Sequence, residues 1–157
     1  MNTEKLNNWL TLLANLGVLI GIIILSLEIR QSNRISISSN EIAIRNNYSS
    51  VNDLILSDPI LADMIRKTYF SNEELNNVEM YQYQHWVYRL TNNWEAVERA
   101  YLIGMIGEGS YNMVFDDITA AVPQRPDIQA IWTTVLDRYP RQQQLETRIA
   151  IRKILDE

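Results

Sequence analysis

The sequence predicts an all-α protein: an N-terminal transmembrane helix continuing into a small helical bundle of about five further helices. Three observations carry this. Leu6 to Leu27 runs twenty-two residues without a charge. Beyond it, apolar residues recur at spacings of three and four. Pro, Gly and Asn or Asp then stand where helices start and stop. On this reading residues 1–30 form the anchor and residues 31–157 the body.

Lys5 closes the apolar run on one side, and Glu28 with Arg30 on the other. As a helix it spans roughly 33 Å, against roughly 30 Å of hydrocarbon. A single span in lipid must be helical, because its backbone polar groups have no other partners there. A cleavable signal peptide fits less well, since the run is long and SLEIRQ offers no small-x-small cleavage site. A buried helix of a globular core is the other alternative, opposed by a Val18–Leu25 stretch that is apolar all round except for Gly21.

Within the span, Ala14, Gly17 and Gly21 fall within about 60° of one another on a helix. Gly17 and Gly21 form a G-x-x-x-G pair of the kind that lets helix backbones approach closely in lipid. These three residues are the expected helix-contact face. Asn15 lies off the stripe and needs a partner or the headgroup region. Trp9 suits the interface. Lys5 faces Arg30, Arg34 and Arg45 across the span, a bias that favours a cytoplasmic body.

The body follows in order. Ile37, Ile44, Tyr48, Val51 and Ile55 continue a helical face, with Ile35 and Ile42 beside it. RISISSN is the weak stretch, where Ser and β-branched residues invite a bend. Ser57-Asp58-Pro59 ends that helix and starts a short one to about Tyr69, offering Ile60, Leu61, Met64 and Ile65 to the core. Ser71 to Glu74 has capping-box spacing, and Asn77 is the expected cap of the principal helix. That helix carries a seam of Met80, Tyr83, Val87, Leu90, Trp94, Val97 and Tyr101, widened by Trp86 and Ala100. Gly104, Gly107 and Gly109 punctuate its end. A helix from about Ser110 to Ala121 comes next, then the turn VPQRP. Pro126 and Pro140 mark two final helices, the first bearing Ile128, Ile131, Trp132, Val135 and Leu136.

LNNWLTLLANLGVLIGIIILSLEIRQ, SDPILADMIRK and RLTNNWEAVERAYLIGMI together resemble a group of uncharacterised bacterial single-span membrane proteins of about this length. The resemblance implies one N-terminal span, a small helical body and a bacterial inner membrane. It implies no activity. The chain departs from the group after Gly104, where relatives tend towards an acidic turn followed by Trp and this sequence places Tyr111.

Composition narrows the function classes. Net charge is −5, which argues against a nucleic-acid partner. There is no Cys, hence no disulfide, thiolate metal site or thiol nucleophile. From Asn40 to Ala120 twelve acidic residues face five basic ones, and from Ala121 to Glu157 five face six. Arg141, Arg148, Arg152 and Lys153 of the last helix read as a solvated face.

Candidate chemistry is sparse. A carboxylate di-iron site needs two Glu-x-x-His motifs, and His85 is the single His, with Gln82 three residues before it. Glu95 and Glu98 read as solvated acids, so no metal or cofactor is expected. No G-x-S-x-G or phosphate loop is present. Arg89, Asn92, Asn93, Glu95 and Arg99 read as a polar surface around Trp94, with Arg89–Asn93 and Glu95–Arg99 as i, i+4 pairs.

Two functions remain. The leading expectation is a membrane-anchored interaction, scaffold or accessory-subunit protein, partnered by the bilayer and by a second copy or another membrane protein. The runner-up is a ligand-binding sensor, less readily an enzyme, with a pocket lined by Trp86, Trp94, Tyr101 and Trp132. A cavity with converging polar groups in the bundle would discriminate between them.

Overall fold

The computed structural model describes residues 3–71, 73–123 and 125–156. Among them all regular structure is helical: α1 (Thr3–Ser57), α2 (Pro59–Phe70), α3 (Asn77–Leu102), α4 (Glu108–Ala121), α5 (Pro126–Asp137), a 3-10 turn (Pro140–Gln142) and α6 (Glu146–Leu155). The chain forms two compact units, Met1–Ser39 and Asn40–Glu157, and α1 contributes to both. The apolar run sets the end of the lipid-compatible segment, whereas the second unit starts where α1 first bonds the body. There Asn40 Nδ2 donates to Met105 O at 3.2 Å and Glu41 Oε1 accepts from Gly107 N at 3.2 Å.

In the first unit, α1 is long and apolar enough to cross a membrane, and none of its most apolar stretch is buried. A core helix of the same composition would be covered; here Leu12, Val18, Ile22 and Leu25 are all exposed. Thr11 and Ser26 return their hydroxyls to the carbonyls of Asn7 and Ile22, at 2.9 and 2.8 Å, so neither presents a free donor along the apolar face. RISISSN is helical. An isolated strand there would have no ladder partner, while a helix pairs its own backbone.

The second unit is built around α3, which packs against α2, α4, α5 and α6. Of the predicted seam, Tyr83, Val87, Trp94 and Val97 are buried, Leu90 and Tyr101 are partly buried, and Met80 near the start of α3 is exposed. All five apolar residues expected from α5 are buried. From α1, Val51 is buried and Ile44, Tyr48 and Ile55 pack around it, leaving Ile35 and Ile42 exposed. From α2, Met64 is buried, Leu61 and Ile65 join the core, and Ile60 in the first turn stays outside.

Local chemistry sets the helix ends. Asp58 caps α2, its Oδ1 accepting from Ile60 N at 2.9 Å and Leu61 N at 3.2 Å, with Pro59 at the first turn. Asn76, not Asn77, caps α3: its Oδ1 accepts from Val78 N and Glu79 N while Glu79 Oε2 accepts from Asn76 N. This is the capping box, five residues later than Ser71–Glu74. Ser71 instead serves as acceptor for Glu73 N at 3.3 Å, in the connecting turn. Gly104, at φ 72°, closes α3 in a Schellman arrangement, with Met105 N on Ala100 O and Gly104 N on Tyr101 O. Pro140 begins a 3-10 turn, and α6 starts only at Glu146.

That late start has a tertiary cause. Glu98 of α3, expected to be solvated, is buried and accepts from Glu146 N at 2.8 Å, Thr147 N at 3.0 Å and Thr147 Oγ1 at 2.7 Å. It caps α6 from another helix and complements the positive end of that helix. Glu95 is buried too, bonded not to the exposed Arg99 but to Arg148 Nε at 2.6 Å. Arg148 is therefore no part of a solvated face. It also donates to Leu136 O at 2.6 Å and Gln142 Oε1 at 3.1 Å, joining α3, the end of α5 and α6. The second half of α3 has neighbours on several sides, so its buried arc takes in Thr91, Glu95 and Glu98 beside the seam.

Candidate functional site

A cavity of about 280 Å³ lies within the second unit. Its wall comes from four helices: Tyr48, Val51, Asn52 and Ile55 of α1, Ile65 and Tyr69 of α2, Trp86, Leu90, Asn93 and Trp94 of α3, and Asp117, Ala120 and Ala121 of α4. Helical spacing explains the grouping. Leu90 follows Trp86 by four residues, Asn93 and Trp94 follow Leu90 by three and four, and Tyr48, Val51 or Asn52, and Ile55 are spaced likewise. Ala120 and Ala121 leave the room, since larger side chains would fill it.

Trp86 and Trp94 thus line the cavity, while Tyr101 and Trp132 are not among its lining residues. Trp132 lies against Trp94, ring on ring at 5.9 Å between centroids, and is fully buried. Its Nε1 donates to Tyr83 Oη at 3.0 Å. Tyr83 Oη is 3.4 Å from Tyr69 Oη, and Tyr69 in turn donates to Ala121 O at 2.7 Å. Burial raises the hydroxyl pKa of both tyrosines, keeping this chain of donors neutral. Tyr101 stacks on Tyr111 at 4.3 Å, and Tyr111 donates to Glu146 Oε2 at 2.7 Å. Trp132 thus backs the cavity wall through Trp94, whereas Tyr101 belongs to a separate aromatic contact with α4.

The polar groups of the cavity are less settled than its wall. Tyr48 Oη and Trp86 Nε1 are buried without a hydrogen-bond partner. Such orphaned donors are rare in folded proteins and each is expensive to leave unpaired. Asp117 lies close enough to the Tyr48 hydroxyl for each group to shift the other. Burial, then the Asp117 carboxylate, pushes the Tyr48 hydroxyl above its ordinary range. Burial likewise raises Asp117, the Tyr48 hydroxyl offsets part of that rise, and neighbouring Asp116 adds to it. No Lys or Arg lines this wall, and among the described residues no cationic side chain pairs with Asp117.

Asn93 is shared with a more open, polar depression lined also by Asn47, His85, Tyr88, Arg89 and Asn92. Asn47 Nδ2 donates to Asn93 Oδ1, fixing that amide between the two hollows. The polar cluster around Trp94 therefore splits. Arg89, Asn92 and Asn93 border the depression, Glu95 goes into the core, and Arg99 stays outside. His85 is exposed and packs edge-on against Tyr81 at 4.5 Å. Among the described residues no three His, Asp or Glu side chains converge as metal ligands.

Periodicity places Tyr48 on the apolar face of α1 but does not mark it as a site residue, and it singles out neither Asp117 nor Asn52. The available signal was Tyr48 and Asp117 as polar atoms on apolar helix faces, Tyr48 beside Val51 and Asp117 beside Val114 and Ile118. No family model, curated protein or solved structure matches the chain.

Proposed function

We propose that this is a single-pass membrane protein of the bacterial inner membrane whose helical body binds a small molecule and acts as a sensor. One observation carries the reading: two orphaned donors and a carboxylate without a cationic partner line one aromatic-walled cavity of about 280 Å³. Apolar walls with a few convergent polar groups are what small-ligand sites present. Unpartnered buried polar atoms are few in folded proteins, and here two of them belong to residues lining one cavity. On this reading the N-terminal helix tethers the sensor and the body faces the cytoplasm, following the Lys and Arg bias.

Native mass spectrometry of the full chain, extracted in dodecyl maltoside, tests the proposal. The expected spectrum shows a retained small molecule, or uptake from a fragment mixture, that an Ala120→Leu variant with a filled cavity loses. A folded protein that retains nothing and takes up no fragment overturns it.

A second reading, self-association or docking on another membrane protein in a scaffold or accessory role, is favoured by the small-residue face. Ala14, Gly17 and Gly21 share one side of α1, where small residues let a second helix backbone approach closely in lipid. The same spectra count copies of the chain.

A further inference from the structure

We infer that the cavity takes an organic ammonium group, on a ligand that also carries a neutral oxygen acceptor. The inference rests on the ligand-binding reading above and names the chemistry of that site. Electrostatics comes first. Asp117 is the charged group of the wall, no Lys or Arg lines the cavity, and the neighbouring Asp116 adds a second negative charge. An anionic ligand would meet only repulsion. A neutral ligand would leave Asp117 without a counter-ion. A cation supplies the missing counter-ion, and a half-buried carboxylate gains from it more than a solvated one does.

The wall fits the same guest. Tyr48, Tyr69, Trp86 and Trp94 bring four aromatic rings to one cavity, the composition that recognises weakly hydrated alkylammonium groups. Tyr69 has its own acceptor in Ala121 O, so its hydroxyl is not open for a ligand. Tyr48 Oη and Trp86 Nε1 are free donors and call for an acceptor, which the ammonium lacks. A hydroxyl, ether or carbonyl oxygen on the same ligand satisfies them. A carboxylate would do so only against the field of Asp117. The ammonium belongs either to a free amine or to a lipid headgroup, and the two are separated by experiment.

The test uses the full chain in dodecyl maltoside, which carries no charge, with tryptophan fluorescence and calorimetry as readouts. Choline is compared with 3,3-dimethyl-1-butanol, its neutral carbon isostere, and with dihexanoylphosphatidylcholine as the headgroup form. Choline or the headgroup form is expected to bind at least tenfold more tightly than the isostere. Asp117→Asn should abolish that preference while leaving the isostere's weak affinity unchanged. Tyr48→Phe should weaken choline and spare tetramethylammonium, which has no oxygen. Binding by choline alone identifies a free small ammonium compound, and binding by the phosphocholine compound a headgroup. If the isostere binds as well as choline, or if other fragments bind and no ammonium compound does, the ammonium inference falls and the ligand-binding reading stands. If nothing binds, both fall.

Discussion

Replacing Arg148 with Met is the sharpest probe of what holds the body together. Arg148 is 1% exposed and Glu95 5%, and their contact is 2.6 Å, so the pair sits outside the reach of solvent screening. Removing Arg148 strands the Glu95 carboxylate in the core, a loss of about 3–5 kcal/mol. Leu136 O also loses a donor at 2.6 Å but keeps Gln143 Nε2 at 2.7 Å, so the end of α5 is not orphaned and adds little. Glu95→Leu should fall near the lower end of that range, because the guanidinium keeps Leu136 O and Gln142 Oε1. The double variant Glu95→Leu/Arg148→Met removes both charges together, and its stability should lie within about 1 kcal/mol of the parent or exceed it. Urea unfolding of the full chain in dodecyl maltoside, followed by tryptophan fluorescence, measures all three. At a slope of about 2 kcal/mol per molar, either single change should move the midpoint by roughly 2 M and the double change by little. If the double variant loses the sum of the two single losses, the charges do not compensate each other. The buried pair would then not be the reason for the single losses.

Three further outcomes follow from the same structure. Glu98→Ala should cost about 2–4 kcal/mol by orphaning three donors at the start of α6, and hydrogen exchange should show Glu146 and Thr147 amides losing protection first. Asp117→Asn should stabilise the body near neutral pH. Burial raises the Asp117 carboxyl, so the folded state holds its proton more tightly than the unfolded one and stability falls as pH rises from the ordinary carboxylate value through the raised one. Thermal melts should show this pH slope in the parent and not in the variant. Gly17→Ile and Gly21→Ile put bulk on the small-residue face yet keep the span apolar. Membrane integration should persist while crosslinking between copies drops severalfold, and unchanged crosslinking would remove the second reading.

Much of the architecture is written in local pattern. The uncharged run of Leu6–Leu27 determines a lipid-compatible helix because its backbone can pair only with itself. Asp58-Pro59, Gly104 and Pro126 determine helix ends because each acts within one turn of its own position. The Tyr83, Val87, Trp94 and Val97 seam is legible because a helix repeats its faces regardless of what covers them. Glu95, Glu98 and Arg148 show where this stops. In sequence they are acids and a base on amphipathic helices, and ordinary chemistry places such groups in water. Only packing on several sides of α3 decides that they are buried, and only positions some fifty residues apart in sequence supply their partners. The cavity is likewise a tertiary result. Trp86 and Trp94 were recognisable as aromatic candidates, but Tyr48 and Asp117 meet them only when α1 and α4 close on α3. Charge complementarity between distant positions has no period, so the sequence determined the helices and the tertiary structure decided which polar groups are left without a partner.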